Sequence, residues 1–186
     1  MTVRSITAIL LAGALCGPVQ AEDVQAEDAQ AGDCRQVHPK LTFCGGEEAW
    51  RPVDRDLPTG IALFRSPARG VGKVIVETVP PGEITGKQVE RAILRDLAVS
   101  QGGDDRSFTV DRLEGGTVDG TPAGNLEYSI PGGTRPLNLL HSYLVKGDLL
   151  IQFLTITAPA VEETSARALH REFLGGFEIT PEAPEL

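Results

Sequence analysis

The chain has 186 residues, 41% of them hydrophobic, with 26 acidic against 17 basic side chains and a formal net charge of −9. A surface of that sign repels phosphate backbones, so nucleic-acid binding is disfavoured. The length suits one domain with its own core, and no metal or other cofactor is needed for folding.

The first stretch, MTVRSITAILLAGALCGPVQA, has one positive charge at Arg4, an apolar run from Ile6 to Leu15, a helix breaker at Pro18, and the small residues Val19 and Ala21 before a cut. This pattern predicts a secretory signal peptide over residues 1–21, cleaved after Ala21, and hence a periplasmic or secreted protein. The apolar run is too short for a bilayer, and no other segment comes close, so no transmembrane segment is expected. Lipidation at Cys16 is disfavoured because Leu15, just before it, is not small. Residues 22–33, EDVQAEDAQAGD, carry five acids and no base and read as a disordered acidic leader.

Residues 34–56 follow, and here Cys34 and Cys44 raise three possibilities. A redox pair requires C-x-x-C spacing, which they lack. A metal site would recruit His38, but Cys34, His38 and Cys44 give three ligands without the paired spacings of a zinc centre. In an oxidising compartment two cysteines this close normally join, so a disulfide stapling the start of the fold is expected. Trp50 to Val53 suits a short edge strand that tolerates Pro52, with Trp50 a lid on the core in preference to a ligand platform.

Beyond the staple, GIALFRS (60–66) and KVIVETV (73–79) are apolar, β-branched runs separated by a turn and read as a hairpin. From Thr85 the period changes. Thr85 and Gln88 make a capping box, Val89, Ile93 and Leu97 recur every four residues, and Gly102 and Gly103 stop the run. Glu90, Arg91, Arg95 and Asp96 form its expected solvated face, and Asp104 and Asp105 are expected to cap a turn. Phe108 and Val110, then Leu126, Tyr128 and Ile130, alternate around the tight-turn pair Asp119-Gly120. Leu137 to Val145 and Leu149 to Thr157 form a long antiparallel hairpin. His141 shares a face there with Leu139, Tyr143 and Val145, while Leu140, Ser142 and Leu144 share the other. The last helix follows Pro159 and stops at Gly175, with Glu162 and Glu163 near its start and Arg167, His170 and Arg171 near its end, as the helix dipole favours. Val161, Ala168, Leu169 and Phe173 are its expected buried stripe. Phe177 to Ile179 make a closing strand, and residues 180–186 a disordered tail. Short connections between successive strands predict an α+β class with mostly antiparallel pairing.

This order of elements resembles the PsbP-like, or DcrB-like, superfamily. The likeness runs through IALFRSPARGVGKVIVETVP, TGKQVERAILRDLA, VDGTPAGNLEYSI, SYLVKGDLLIQFLTITAP and TSARALHREFL, over residues 57–179. It implies an antiparallel β-sheet flanked by helices on both faces, an α/β/α sandwich. It also implies a non-catalytic adaptor, assembly factor or binding module, and it carries no shared catalytic residue.

The residues themselves show no nucleophile elbow, zinc-protease helix or Walker loop. No calcium loop is present either. The candidate ligand or interface residues are therefore His141, Tyr143 and Trp50. Function is expected to rest on contact with a protein partner in the cell envelope. Two alternatives are a carrier of an apolar small molecule or lipid, and a metal or catalytic protein using His141 or the group Cys34, His38 and Cys44.

Overall fold

The structure is a computed structural model, and it describes residues 34–46, 48–68, 70–82, 84–100, 110–130, 136–158 and 161–180. The expected signal peptide, the acidic leader, Gly102 and Gly103, Asp104 and Asp105, Phe108, Pro159 and residues 181–186 of the tail lie outside these residues.

In chain order the elements are β1 (Arg35–His38), β2 (Leu41–Phe43), β3 (Arg51–Pro52), β4 (Ile61–Ser66), β5 (Gly70–Thr78), α1 (Gly86–Ser100), β6 (Val110–Val118), β7 (Thr121–Ile130), β8 (Leu137–Lys146), β9 (Leu149–Thr157), α2 (Glu163–Gly175) and β10 (Phe177–Ile179). Seven strands pair in the order β3-β4-β5-β9-β8-β7-β6, and β1-β2-β10 form a second, smaller sheet. All the pairs are antiparallel. The class is α+β, as the short connections predict.

Local chemistry accounts for the turns. Asp119 and Gly120 both take positive φ, at 47° and 69°, the conformation that closes a two-residue hairpin without splaying its strands. Gly147 does the same service between β8 and β9, with φ 59°. At the start of α1 the Gln88 side-chain oxygen accepts from the Thr85 N–H and from the Thr85 hydroxyl, each at 2.8 Å. The box is thus half-built: the Gln88 N–H donates to the Thr85 carbonyl at 2.9 Å instead of to its hydroxyl.

Alternate residues of β9 enter two separate apolar clusters. Leu149, Ile151 and Phe153 join Leu169 and Phe173 of α2, together with Trp50, Phe64, Val74 and, from the small sheet, Leu41, Phe43 and Phe177. Leu150 joins Val89, Ile93 and Leu97 of α1, together with Leu126, Tyr128, Leu139 and Tyr143. The first cluster is rich in rings: Phe173 lies 4.5 Å from Trp50 and 5.0 Å from Phe177 between centroids. Gly72 lets it close, because a β-carbon there would meet the Phe173 ring.

The second helix is phased differently from its expected stripe. Ala166 is buried and Ala168 exposed, and His170 is buried with Leu169 and Phe173. Ala166 stands three residues before Leu169 and seven before Phe173, spacings that keep a side chain on one helical face, whereas Ala168 is a turn of about 100° off Leu169. His170 is thus a core residue, not a solvated partner for the dipole. On α1, Glu90 and Asp96 are half-buried and not fully solvated, and Asp96 Oδ2 is buried with no hydrogen-bond partner among the described residues.

Cys34 and Cys44 are joined as a disulfide, with Cα atoms 4.3 Å apart. It closes the β1–β2 hairpin, and β2 pairs along β10 with Phe43 opposite Phe177 and Leu41 opposite Ile179. Lys40 Nζ reaches Asp148 Oδ1 at 2.7 Å, tying the small sheet to the β8–β9 turn.

Candidate functional site

A cleft of about 630 Å³ opens at the end of the large sheet where α1 begins. Its walls are the approach to α1 (Pro81, Ile84), the first turns of α1 (Lys87, Glu90), Pro122 and Gly124 of β7, and Tyr143 to Val145 of β8. Period-2 alternation along β8 aims Tyr143 at α1, and the capped start of α1 brings Glu90 over it. The Tyr143 hydroxyl donates to Glu90 Oε2 at 3.3 Å. Its ring rests on Gly124, where a β-carbon would collide with it. The result is an aromatic floor with a carboxylate and an ammonium on one rim and two prolines on the others.

Of the sequence candidates, Tyr143 alone lines this cleft. His141 points the same way from β8 but lies beneath the surface, 4% exposed. Its Nε2 faces Gln152 Oε1 at 3.1 Å and its Nδ1 faces the Tyr128 hydroxyl at 3.2 Å. A carboxamide oxygen can only accept, so Nε2 carries the proton and Nδ1 accepts from Tyr128. Gln152 Nε2 in turn donates to Glu77 Oε2 at 3.4 Å. Burial outweighs the Gln152 hydrogen bond and lowers the His141 pKa to about 3. Burial likewise pushes the Tyr128 phenol up, and it raises Glu77 against the same Gln152 bond.

A second buried chain runs toward α2. Ser142 Oγ donates to Asn125 Oδ1 at 2.5 Å and lies 2.8 Å from His170 Nε2, while His170 Nδ1 lies 2.8 Å from Thr155 Oγ1. A serine hydroxyl has one proton, and here it goes to Asn125. His170 Nε2–H must then donate to Ser142, and Nδ1 accepts from Thr155. Burial lowers the His170 pKa to about 4. The serine–histidine pair therefore lacks the proton direction a nucleophile needs, since the imidazole gives a proton to the hydroxyl and does not take one from it. Ser142 is also fully buried.

Trp50 stands apart from both, in the aromatic cluster against Phe173, at 1% exposure. Its Nε1 has no hydrogen-bond partner among the described residues. Cys34 and Cys44 are tied to each other, so neither thiolate is available as a ligand, and His38 Nδ1 accepts the Lys40 N–H at 3.2 Å. The structure thus separates the sequence candidates into a cleft residue (Tyr143), a sealed imidazole (His141), a core indole (Trp50) and a staple.

Sequence reasoning missed Glu90, Lys87 and Gly124 at the cleft, and the His170–Ser142 pair. Gly124 carried a usable signal: a glycine inside a strand, away from any turn, marks close approach of another group. Among the described residues no helix is long and apolar enough to cross a membrane.

No protein-family model matches the sequence, and no curated protein matches it. Solved structures do. The solution structure of cyanobacterial PsbP (CyanoP) from Synechocystis superposes with a TM-score of 0.58 at 19% identity, over 88% of this chain and 99% of that one. A crystal structure of a Bacteroides thetaiotaomicron protein gives 0.50 at 10% identity over 82% of this chain, which spans half of that one. LpqN of Mycobacterium tuberculosis, involved in cell envelope biogenesis, gives 0.49 at 14% identity over 77% of this chain and 87% of that one. The fold is PsbP-like, in agreement with the resemblance of its sequence elements.

Proposed function

We propose that this chain is an exported, non-enzymatic binding module of the cell envelope, acting by contact with a protein through the cleft at the start of α1. The two apolar clusters support an α/β/α arrangement, with α1 on one face of the large sheet and α2 on the other. In that arrangement the imidazoles of His141 and His170 are closed between layers as neutral groups, which supports a structural role for both. Export is supported by the Cys34–Cys44 disulfide and by the signal-like residues 1–21.

The carrying observation is the composition of the cleft. Tyr143, 5% exposed, forms a floor whose depth Gly124 sets, and Pro81, Ile84, Pro122 and Val145 add apolar edges beside Lys87 and Glu90. An apolar patch with charged side chains at its rim is the usual makeup of a protein contact. A lipid would find less here, because two charged side chains stand at the walls.

The test is site-specific photocrosslinking in the native envelope. A crosslinker at exposed Lys87 should give one discrete adduct, lost when Tyr143→Ala or Glu90→Arg is added. The same probe at Val99, exposed at the far end of α1, should give none. No adduct from Lys87, or equal adducts from both positions, would overturn the reading.

A further inference from the structure

The β6–β7 hairpin turns on Asp119 and Gly120, the only aspartate–glycine or asparagine–glycine pair in the 186 residues. Such a pair is chemically labile, because glycine carries no side chain to keep its nitrogen from the carboxyl group beside it. Both residues are exposed, and a β-carbon on Gly120 would meet nothing within 4 Å. Asp119 holds φ 47°, in the left-handed region that disfavours most side chains. The turn is open to water and already off the preferred backbone of aspartate.

One contact restrains it. Asp119 Oδ2 accepts the Ile179 N–H at 2.8 Å. Ile179 is the last residue of β10, and it stands across from Leu41 of the stapled hairpin. Val118, just before the turn, and Ile179 are buried in the same apolar cluster. While β10 is seated, the carboxylate is therefore turned toward the small sheet and its rotamer is fixed. When β10 lifts, the carboxyl group is free to swing toward the nitrogen of Gly120.

We propose that Asp119 is a site of spontaneous conversion to isoaspartate, gated by the seating of β10. The Gly120 backbone nitrogen attacks Cγ of the protonated carboxyl group. An N–Cγ bond forms, a Cγ–O bond breaks, and the hydroxyl leaves with the amide proton as water, closing a cyclic imide. Water then adds to either carbonyl of the ring. Opening at Cγ restores aspartate, whereas opening at the backbone carbonyl breaks its bond to nitrogen and leaves the main chain running through Cγ. No oxidant or reductant is required. The product has an extra main-chain carbon in the turn, and its carboxylate springs from Cα. A two-residue hairpin depends on the backbone angles of its turn for register, so the converted turn no longer presents the acceptor to Ile179. Conversion is then a one-way release of the closing strand. Nothing in it draws on the cleft, so it holds whatever the cleft binds.

Incubating the purified chain in heavy-oxygen water near neutral pH, folded and in urea, tests this. An endoproteinase that cuts before aspartate should progressively lose its cut at residue 119, and the peptide spanning it should gain a heavy oxygen with each ring opening. The folded chain should convert roughly tenfold or more slowly than the chain in urea, the weight of a hydrogen bond to a charged acceptor. Ile179→Pro removes the N–H, and Cys34→Ser with Cys44→Ser loosens the strand that β10 pairs with. Each should bring conversion close to the urea rate while the amides of β8 and β9 stay slow to exchange, which marks the large sheet as intact. The converted fraction should show fast amide exchange at Phe177 to Ile179. Absence of conversion in urea would overturn the site. Equal rates folded and in urea would overturn the gate, and so would a folded rate that both variants leave unchanged.

Discussion

The ring of Tyr143 occupies the space that a β-carbon on Gly124 would need. The two residues are Cα partners on neighbouring strands β8 and β7, so the glycine sets how deeply the aromatic floor of the cleft lies. Tyr143 is only 5% exposed, and its hydroxyl is committed to Glu90, so the ring has little freedom to yield. Gly124→Ala should therefore lower stability by about 1–3 kcal/mol, the usual cost of overpacking. In a Tyr143→Ala background the same substitution should cost much less. A double-mutant cycle by urea unfolding measures the difference, and additive effects would show that the ring is not held by the glycine.

Removing the staple should act mainly on the unfolded chain. Closing a loop as short as Cys34 to Cys44, ten residues apart in sequence, is worth about 2.5–3 kcal/mol in the chain-entropy view. Cys34→Ser with Cys44→Ser should lose that much. The loss should appear first as faster amide exchange at Phe177 to Ile179, because β10 pairs only with β2 of the stapled hairpin among the described residues. Unchanged exchange there, with a full loss of global stability, would detach the hairpin from β10.

Both imidazoles should make the fold acid-sensitive well above the ordinary carboxylate range. Burial holds His141 at about 3 and His170 at about 4, below the 6.5 of an unperturbed histidine. Between those limits the unfolded chain binds more protons than the folded one. Stability is therefore complete above about pH 6.5 and falls as pH drops toward the folded values, by up to about 1.4 kcal/mol per pH unit for each histidine. Glu77, whose pKa burial raises, works in the opposite direction. Urea midpoints between pH 7 and pH 5 check the slope, and His170→Asn should flatten it. A slope unchanged by that substitution would place the titrating group elsewhere.

The elements legible in the sequence were those whose signal is local. Asp119-Gly120 marked its hairpin because turn chemistry is decided within two residues, and Val89, Ile93 and Leu97 marked α1 because nothing else on that helix competed with them. The phase of α2 was obscure because alanine is indifferent to either face, and because His170 is polar. Only Ser142 and Thr155, on strands distant in sequence, make its burial affordable. Pairing of β2 with β10 had no local trace, since the partners lie at opposite ends of the domain. The cleft was half visible: Tyr143 stood out as an aromatic on a central strand, but Glu90 read as one more charge on a solvated face until α1 was set against β8.

Ser142 offers the sharpest test of the buried polar chain toward α2. Ser142→Ala removes the acceptor for His170 Nε2–H at a position with no access to water. An unsatisfied buried donor costs about 1–3 kcal/mol beyond the lost bond, whereas removing both partners together is far milder. Ser142→Ala should therefore be strongly destabilising, and adding His170→Leu should recover part of the loss. His170 should also report electronically: in the intact protein its ring nitrogens should show the pattern of a neutral imidazole protonated at Nε2. A proton on Nδ1 would reverse the chain, turn the histidine into an acceptor from Ser142, and make that hydroxyl the polarised group of the pair.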